Sequence, residues 1–421
     1  MESRKVIQVE DKVPASMLIP LSIQHMFAMF GASVLVPFLF QINPAVVLFM
    51  NGVGTLLFIL ITKGKAPAYL GSSFAFLAPG AIIIEKFGYS YALGAFAAVG
   101  FCGCILAAII YKFGSDWIDI VLPPAAMGPV VALIGLELAG TAASTAGLLP
   151  ADGNPISHAN IIVFIVTLGV AVFGSVLFKK FLSVIPILIA IICGYIAAIA
   201  THSVTFDAVA AAPIFAIPNF STPKFNLESI LIMLPVLLVI SSEHIGHQIV
   251  TSKIIGRDLL KDPGLHRSLF ADNFSTMLSG FIGSVPTTTY GENIGVMAVT
   301  KVYSVRVIAG AAVLSIICSF VGKLSSLIGT IPPAVIGGIS FLLYGMIGSS
   351  GIRILVDSKV DYSQSKNLTL TSVIFVVGLS GIAVKFGNIE LRGMILACMV
   401  GMILSLLFYI FDKLNLTNDT E

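Results

Sequence analysis

Apolar runs of about 17 to 25 residues, the length that crosses a lipid bilayer as an α-helix, recur along almost the whole chain. Short connections that contain charged residues, glycine or proline separate them. This pattern predicts fourteen membrane-spanning segments and therefore an all-α polytopic membrane protein. The segments lie at 16–38, 44–62, 68–86, 91–111, 119–141, 159–178, 183–201, 229–251, 268–284, 286–300, 304–322, 332–349, 367–384 and 391–411.

The basic residues orient these segments. Cytoplasmic loops of membrane proteins are enriched in Lys and Arg. With the N-terminus inside, eighteen of the 23 Lys and Arg residues fall on the cytoplasmic side, and one missed crossing would scramble this bias. We therefore expect a multi-pass protein of the cytoplasmic (inner) membrane with both termini cytoplasmic. We expect no removable signal peptide, because the first apolar run has full length and no small-residue cleavage site.

Composition excludes a soluble protein. The chain is 57% hydrophobic and 10% charged, with a mean hydropathy of +1.02, against about 25% charged residues in a soluble domain. A net charge of +2 gives no reason to expect a nucleic-acid partner. The five cysteines lie in apolar runs without metal or redox spacing, so we interpret them as small buried hydrophobic residues.

The chain divides into two halves. Residues 206–228 form a linker, with seven predicted segments before it (1–205) and seven after it (229–421). An odd number of crossings inverts the second half relative to the first, as in the inverted repeats of secondary transporters. The third segment of each half, PAYLGSSFAFLAPG and SVPTTTYGENIGVMAV, has a strand-compatible, Gly- and hydroxyl-rich start. Non-helical backbone at membrane depth is tolerated where it lines a cavity.

Ionisable residues in apolar runs are the candidate chemistry, because a buried charge in a membrane span is costly and usually functional. Glu243 and His247 are four residues apart, hence on one helix face. Together with Glu292 and two half-helix N-termini, they suit a small planar ligand with alternating N–H and C=O groups, packed by Phe74, Tyr290 and Tyr344. Glu243 and His247 are also candidates for proton coupling.

Other polar residues leave alternatives open. His25 is interpreted as a structural residue or a lining residue. The sequence EHIGH suggests a metal site, yet His244 and His247 are three apart, unlike the i, i+4 histidines of metalloproteases. We assign no firm role to Glu137 and none to Asp272.

Long stretches of the chain resemble the nucleobase/ascorbate transporter (nucleobase:cation symporter-2) family, and within it the bacterial uracil permeases. The family signature, an acid or amide followed by N-x-G-x4-T, is present from Glu292-Asn293-Ile294-Gly295 to Thr300-Lys301. The resemblance extends over nearly the whole chain, through PLSIQHMFAMFGASVLVPFLF, PAYLGSSFAF, PPAAMG, LIGLELAG, EHIGH, KDPGLHRS, TTTYGENIGVMAVTKVYS and SKVDY.

This resemblance implies a uracil:proton symporter that needs no cofactor, with a core domain of segments 1–4 and 8–11 and a gate domain of segments 5–7 and 12–14. Segments 3 and 10 would each contain a short antiparallel strand at the substrate site. It implies that Glu243 and Glu292 hold the base through N–H groups and that His247 belongs to the proton-linked network. Backbone around Phe74 and Gly291 would meet the carbonyl groups. Further candidates for the site are Ser73, Tyr290, Tyr344, His25 and Asn293.

The partners implied are uracil, protons, the lipid bilayer and a second copy of the chain, bound through the gate domains. Three alternatives remain: proton-coupled transport of another nucleobase such as xanthine, a passive channel, and an intramembrane metalloenzyme.

Overall fold

The computed structural model describes residues 6–149, 156–179, 182–386 and 389–417. Helices α1–α10 are Ala15–Ala28, Phe30–Leu39, Pro44–Ile61, Leu77–Phe87, Tyr89–Phe113, Asp116–Val121, Pro124–Leu136, Ala139–Thr145, His158–Leu177 and Pro186–Ala200. Helices α11–α20 are Asp207–Ala211, Leu227–Met233, Val236–Ile255, Leu265–Ile282, Gly291–Thr300, Val305–Ser319, Gly322–Gly329, Pro333–Asp357, Ser365–Leu379 and Gly393–Lys413. Strands β1–β4 are Leu70–Ser72, Thr287–Thr289, Ala383–Phe386 and Ile389–Arg392.

Most predicted segments lie on one helix, on two or three consecutive helices, or on a strand followed by a helix. Within the described residues, eight helices or joined pairs are long and apolar enough to cross a membrane, and α10, α16 and α19 are shorter apolar helices. The predicted ends of two segments were wrong. Helix α18 continues past residue 349 to Asp357, because its glycines let it pack closely on α7. Helix α19 is shorter than predicted: it ends at Leu379, and strand β3 follows.

The third segment of each half is broken where the sequence predicts. Strands β1 and β2 pair antiparallel, with Leu70 opposite Thr289 and Ser72 opposite Thr287. A 3-10 turn, Phe74–Phe76, follows β1 and leads into α4, whereas α15 follows β2 directly. The β-branched threonines favour an extended chain. Pairing then satisfies backbone groups that would otherwise be buried without partners.

The helices pack most extensively within two groups. The first group comprises α1–α5 with α12–α16, and the second comprises α7–α10 with α18–α20. Glycines allow close approach inside each group: Gly103 of α5 lies against Asn273 of α14, and Gly128 of α7 lies against Leu355 of α18. Helix α13 of the first group also contacts α7, α18 and α20 of the second group. It therefore lies at the boundary between them.

Two connecting segments are held against the first group. Near the N-terminus, Ile7 accepts a hydrogen bond from the amide of Tyr303, and the amide of Ile7 donates to the carbonyl of Lys301. In the linker between the halves, the amide of Ser221 donates to the carbonyl of Ile282, and the amide of Lys224 donates to the carbonyl of Ser90. Both segments are thus part of the packed structure.

Candidate functional site

A cavity of about 410 Å³ lies between the two groups. Its inner wall is made by buried residues of the first group together with Val131 of α7 and Ile187 of α10. It opens at the end of the bundle that carries Ser175, Ser349 and Arg353, all three exposed. We call this end the mouth. A volume of this size falls within the range of small-molecule sites.

Helix α13 brings Glu243 and His247 into the cavity wall, as their spacing predicts. Both side chains are buried. Nδ1 of His247 lies 3.1 Å from Oγ1 of Thr289 on strand β2, so a hydrogen bond fixes the imidazole ring. Oε2 of Glu243 has no hydrogen-bond partner among the described residues. A buried oxygen without a hydrogen-bond partner can accept a hydrogen bond from a donor group of a ligand.

The two broken segments supply the facing wall. Phe74, Tyr290, Gly291 and Glu292 line the cavity. Helix α15 begins at Gly291 without a side-chain cap, so its first amide groups have no partners within the helix. Oε1 of Glu292 is buried and, within the part of the chain that the structure describes, unpaired. The site therefore combines carboxylate acceptors with backbone donors.

Two predicted aromatic residues support this wall. The Tyr290 hydroxyl donates to the carbonyl of Ser72 over 3.2 Å, which ties the start of α15 to strand β1. Tyr344 does not border the cavity but contacts Phe74 edge-on, with ring centroids 5.9 Å apart. Tyr344 thus fixes the ring of Phe74 from behind.

Three other candidates lie near the cavity without bordering it. Ser73, His25 and Asn293 are buried, and the cavity wall in the described residues does not include them. The side-chain polar atoms of all three have no hydrogen-bond partner among those residues. Their predicted contribution to the site stays a prediction.

Asp272 is the residue that sequence reasoning missed. It is buried on α14, where Oδ1 accepts the amide of Thr289 over 3.1 Å and Oδ2 accepts the hydroxyl of Thr288 over 3.4 Å. Nδ1 of His244 lies 3.6 Å from Oδ2. Since Thr289 also contacts His247, Asp272 positions the strand that holds the histidine ring.

A helical pattern of polar residues was the available signal for this role. Ser268, Asp272, Ser275, Thr276 and Ser279 share one face of α14, and all five are buried. Such a face inside an apolar segment indicates a polar partner, here the threonines of β2.

Glu137 lies away from the cavity. Its Oε2 accepts the amide of Met394 over 2.9 Å at the start of α20. Carboxylates stabilise helix N-termini by accepting unpaired amides and by their charge. The structure therefore gives Glu137 a structural role in joining α7 to α20.

Within the described residues, no group of three or more His, Cys, Asp or Glu side chains is arranged to hold a metal ion. His244, which the sequence pattern offered as a ligand, instead has Nε2 at 3.0 Å from the hydroxyl of Ser268.

Known proteins resemble this chain along nearly its whole length. The profile of the Permease family matches residues 16–386. A uracil permease of Escherichia coli (strain K12) is 54% identical over 413 residues, which cover 98% of this chain and 96% of that protein. A uracil permease of Paenibacillus larvae is 52% identical over 418 residues, 99% of each.

A solved structure shares the fold. The transmembrane domain of a cyanobacterium bicarbonate transporter, BicA, superimposes with a TM-score of 0.65 at 14% identity, over 94% of this chain and all of that one. At this identity the likeness concerns the fold alone.

Proposed function

The chain belongs to the Permease family, and from that membership we propose that it is a secondary active transporter which imports uracil across the cytoplasmic membrane by proton symport and alternating access. It is a permease and carries out no covalent chemistry. Relatives more than half identical over almost the full length are uracil permeases, which supports uracil as the substrate.

One observation in the cavity carries the substrate assignment: Glu243 and Glu292 each present a buried, unpaired carboxylate oxygen. Carboxylates accept from N–H groups, and uncapped helix amides donate to carbonyl oxygens. Uracil carries N–H and C=O groups alternately around one planar ring. The two donor groups of the base would meet the carboxylates, and its carbonyl groups would meet backbone near Phe74 and Gly291.

Aromatic contacts would complete the binding of the base. Phe74 and Tyr290 border the cavity and present apolar surface to a flat ligand. An anion of similar size would face two carboxylates, which disfavours it. His247, held by Thr289, would carry the link between protonation and binding together with Glu243.

The fourteen predicted crossings fit an inverted repeat in which the first packing group is the core domain and the second is the gate domain. The positive-inside bias of the sequence supports a cytoplasmic position for the mouth of the cavity, which carries Arg353. In this assignment the cavity is open inward. Association of two copies through the gate domains stays a prediction from the family resemblance.

Accumulation of labelled uracil in vesicles containing the purified protein tests this function. With an inward proton gradient, we expect uptake above the equilibrium level, which an uncoupler abolishes. Protein-free vesicles are the control. Uptake that only equilibrates would indicate a channel. Stronger competition by xanthine than by 5-fluorouracil would overturn uracil as the preferred substrate.

A further inference from the structure

One face of helix α18 contacts the first packing group at three successive positions. Ser350, Ile354 and Asp357 follow one another at i, i+4 and i+7, so they lie along one side of the helix. Their partners are Gly291 of α15 and, on α13, Gly246 and Lys253. We call these three contacts the α18 seam.

The first two contacts of the α18 seam bring the helices close together at glycines, and a side chain at Gly246 would collide with its neighbour. A Cβ added to Gly291 would lie 3.3 Å from Oγ of Ser350, and one added to Gly246 would lie 2.5 Å from Cδ1 of Ile354. Gly246 stands between Glu243 and His247 in sequence, so the helix that carries these groups is also the helix that touches the gate.

The third contact is electrostatic. The ammonium group of Lys253, in the last turn of α13, donates to the main-chain carbonyl of Asp357, the last residue of α18. The final carbonyl groups of a helix lack partners within it and form the negative end of its dipole. The carboxylate of Asp357 is bound separately by Nε of Arg353 over 3.3 Å. Lys253 therefore binds the helix end rather than a side chain.

We propose that Lys253 is a positioning residue for transport: its contact with the end of α18 stabilises the state in which the mouth of the cavity is open. The proposal rests on the proposed alternating-access function. A shift of α13 along α18 by about 5 Å, one helical turn, would carry the ammonium group away from Asp357 and Gly246 away from Ile354. In the proposed transport cycle, the α18 seam therefore forms only in the open state.

A lysine at an exposed helix C-terminus contributes enough for its loss to change the ratio of open to closed states about two- to fivefold. Thiol labelling at the mouth measures this population. In a variant without the five native cysteines, Ser349→Cys places a thiol on the exposed rim of the cavity. The rate at which a membrane-impermeant maleimide labels this thiol is then compared between variants, in purified protein without uracil.

We expect Lys253→Gln to slow this labelling, by at most about fivefold, and Lys253→Arg to be labelled at the rate of the protein with Lys253. Lys112→Gln is the matched control, because Lys112 lies in the last turn of α5 and takes no part in the α18 seam. An unchanged rate in Lys253→Gln, or an equal loss in Lys112→Gln, would overturn the proposal. The labelling experiment contains no uracil, so its outcome does not depend on whether the protein binds uracil. Uracil binding by the unmutated protein is measured in a separate experiment, which tests the proposed function.

A second pair of variants tests the seam without changing any charge. Gly246→Ala should also slow labelling of Ser349→Cys, because its methyl group collides with Cδ1 of Ile354 in the open state. Ile354→Val removes that atom, so the double variant should recover most of the rate. If the effects of Gly246→Ala and Ile354→Val on the labelling rate simply add in the double variant, the two residues do not interact, and a state-specific contact between them is contradicted.

Discussion

At the scale of single residues, the site depends on polar atoms that the protein leaves unpaired. Oε2 of Glu243 and Oε1 of Glu292 are buried, yet no described residue donates to them. Leaving such groups unsatisfied is costly for folding. In the proposed site, a ligand that donates to both oxygens would recover this cost.

Removal of either carboxylate should weaken uracil binding. In Glu243→Ala or Glu292→Ala a buried N–H of the ligand loses its acceptor, at a cost of about 1–3 kcal/mol. The dissociation constant from calorimetry should therefore rise about tenfold or more. Glu85→Ala, an exposed glutamate on α4, is the control and should bind normally. Unchanged affinity in both variants, with normal thermal stability, would place the base elsewhere.

Spacing and rarity were enough to select Glu243, His247 and Glu292, which the structure brings to the wall of one cavity, because a charge in an apolar run is conspicuous. Asp272 is equally rare, but its role depends on two threonines in another segment, and the sequence does not indicate which segments meet. Likewise, nothing in the local sequence of Glu137 predicts that it accepts the amide of Met394.

At the scale of elements, the pairing of β1 with β2 determines where the two half-helices begin. Gly71 permits this arrangement, since the ring of Tyr290 occupies the space that a side chain at position 71 would need. The Tyr290 hydroxyl can then reach the carbonyl of Ser72. The position of the α15 N-terminus therefore depends on a missing methyl group.

Gly71→Ala should displace Tyr290 and with it Gly291 and Glu292. Overpacking of this kind costs about 1–3 kcal/mol, so we expect a folded protein with a lower melting temperature and clearly weaker uracil binding. Ser72→Ala, the neighbouring position in β1, adds no atom and is the control. Normal affinity in Gly71→Ala would mean that the Tyr290 ring does not set the geometry of the site.

Element positions were largely predictable because membrane thickness imposes a length on each apolar run. The break in the third segments was predictable too, from Gly71 and the threonines of β2. The register between β1 and β2 was not, since the strands belong to different halves and pairing depends on how those halves pack. The length of α18 also depends on packing, through the glycines that face α7.

At the scale of the whole molecule, the N-terminal segment joins separate parts of the first group. It pairs with residues 301–305 after α15, and Glu10 binds Arg257 after α13 over 2.5 Å. The Arg257 guanidinium, through this hydrogen bond, holds the pKa of Glu10 below its ordinary value. The contact connects the ends of the two helices that carry Glu243 and Glu292.

This pair should give a pH-dependent stability with a defined sign. Because the pKa of Glu10 is lowered on folding, its contribution is present at neutral pH and disappears as the pH falls below about 4. Both side chains are largely exposed, so the contribution should stay below about 1 kcal/mol. Melting temperatures of the unmutated protein and Glu10→Gln should differ slightly at pH 7 and converge in acid. Glu85→Gln should match the unmutated protein throughout.

The antiparallel pair of β1 and β2 also determines when the site can form as the chain is synthesised. Strand β1 leaves the ribosome long before β2 is translated, and its backbone at membrane depth has no strand partner until then. The nascent first half therefore cannot form a binding site, although it already contains Phe74. Uracil can therefore stabilise the permease by mass action only after β2 has been made and has paired with β1, because the site does not exist before that step.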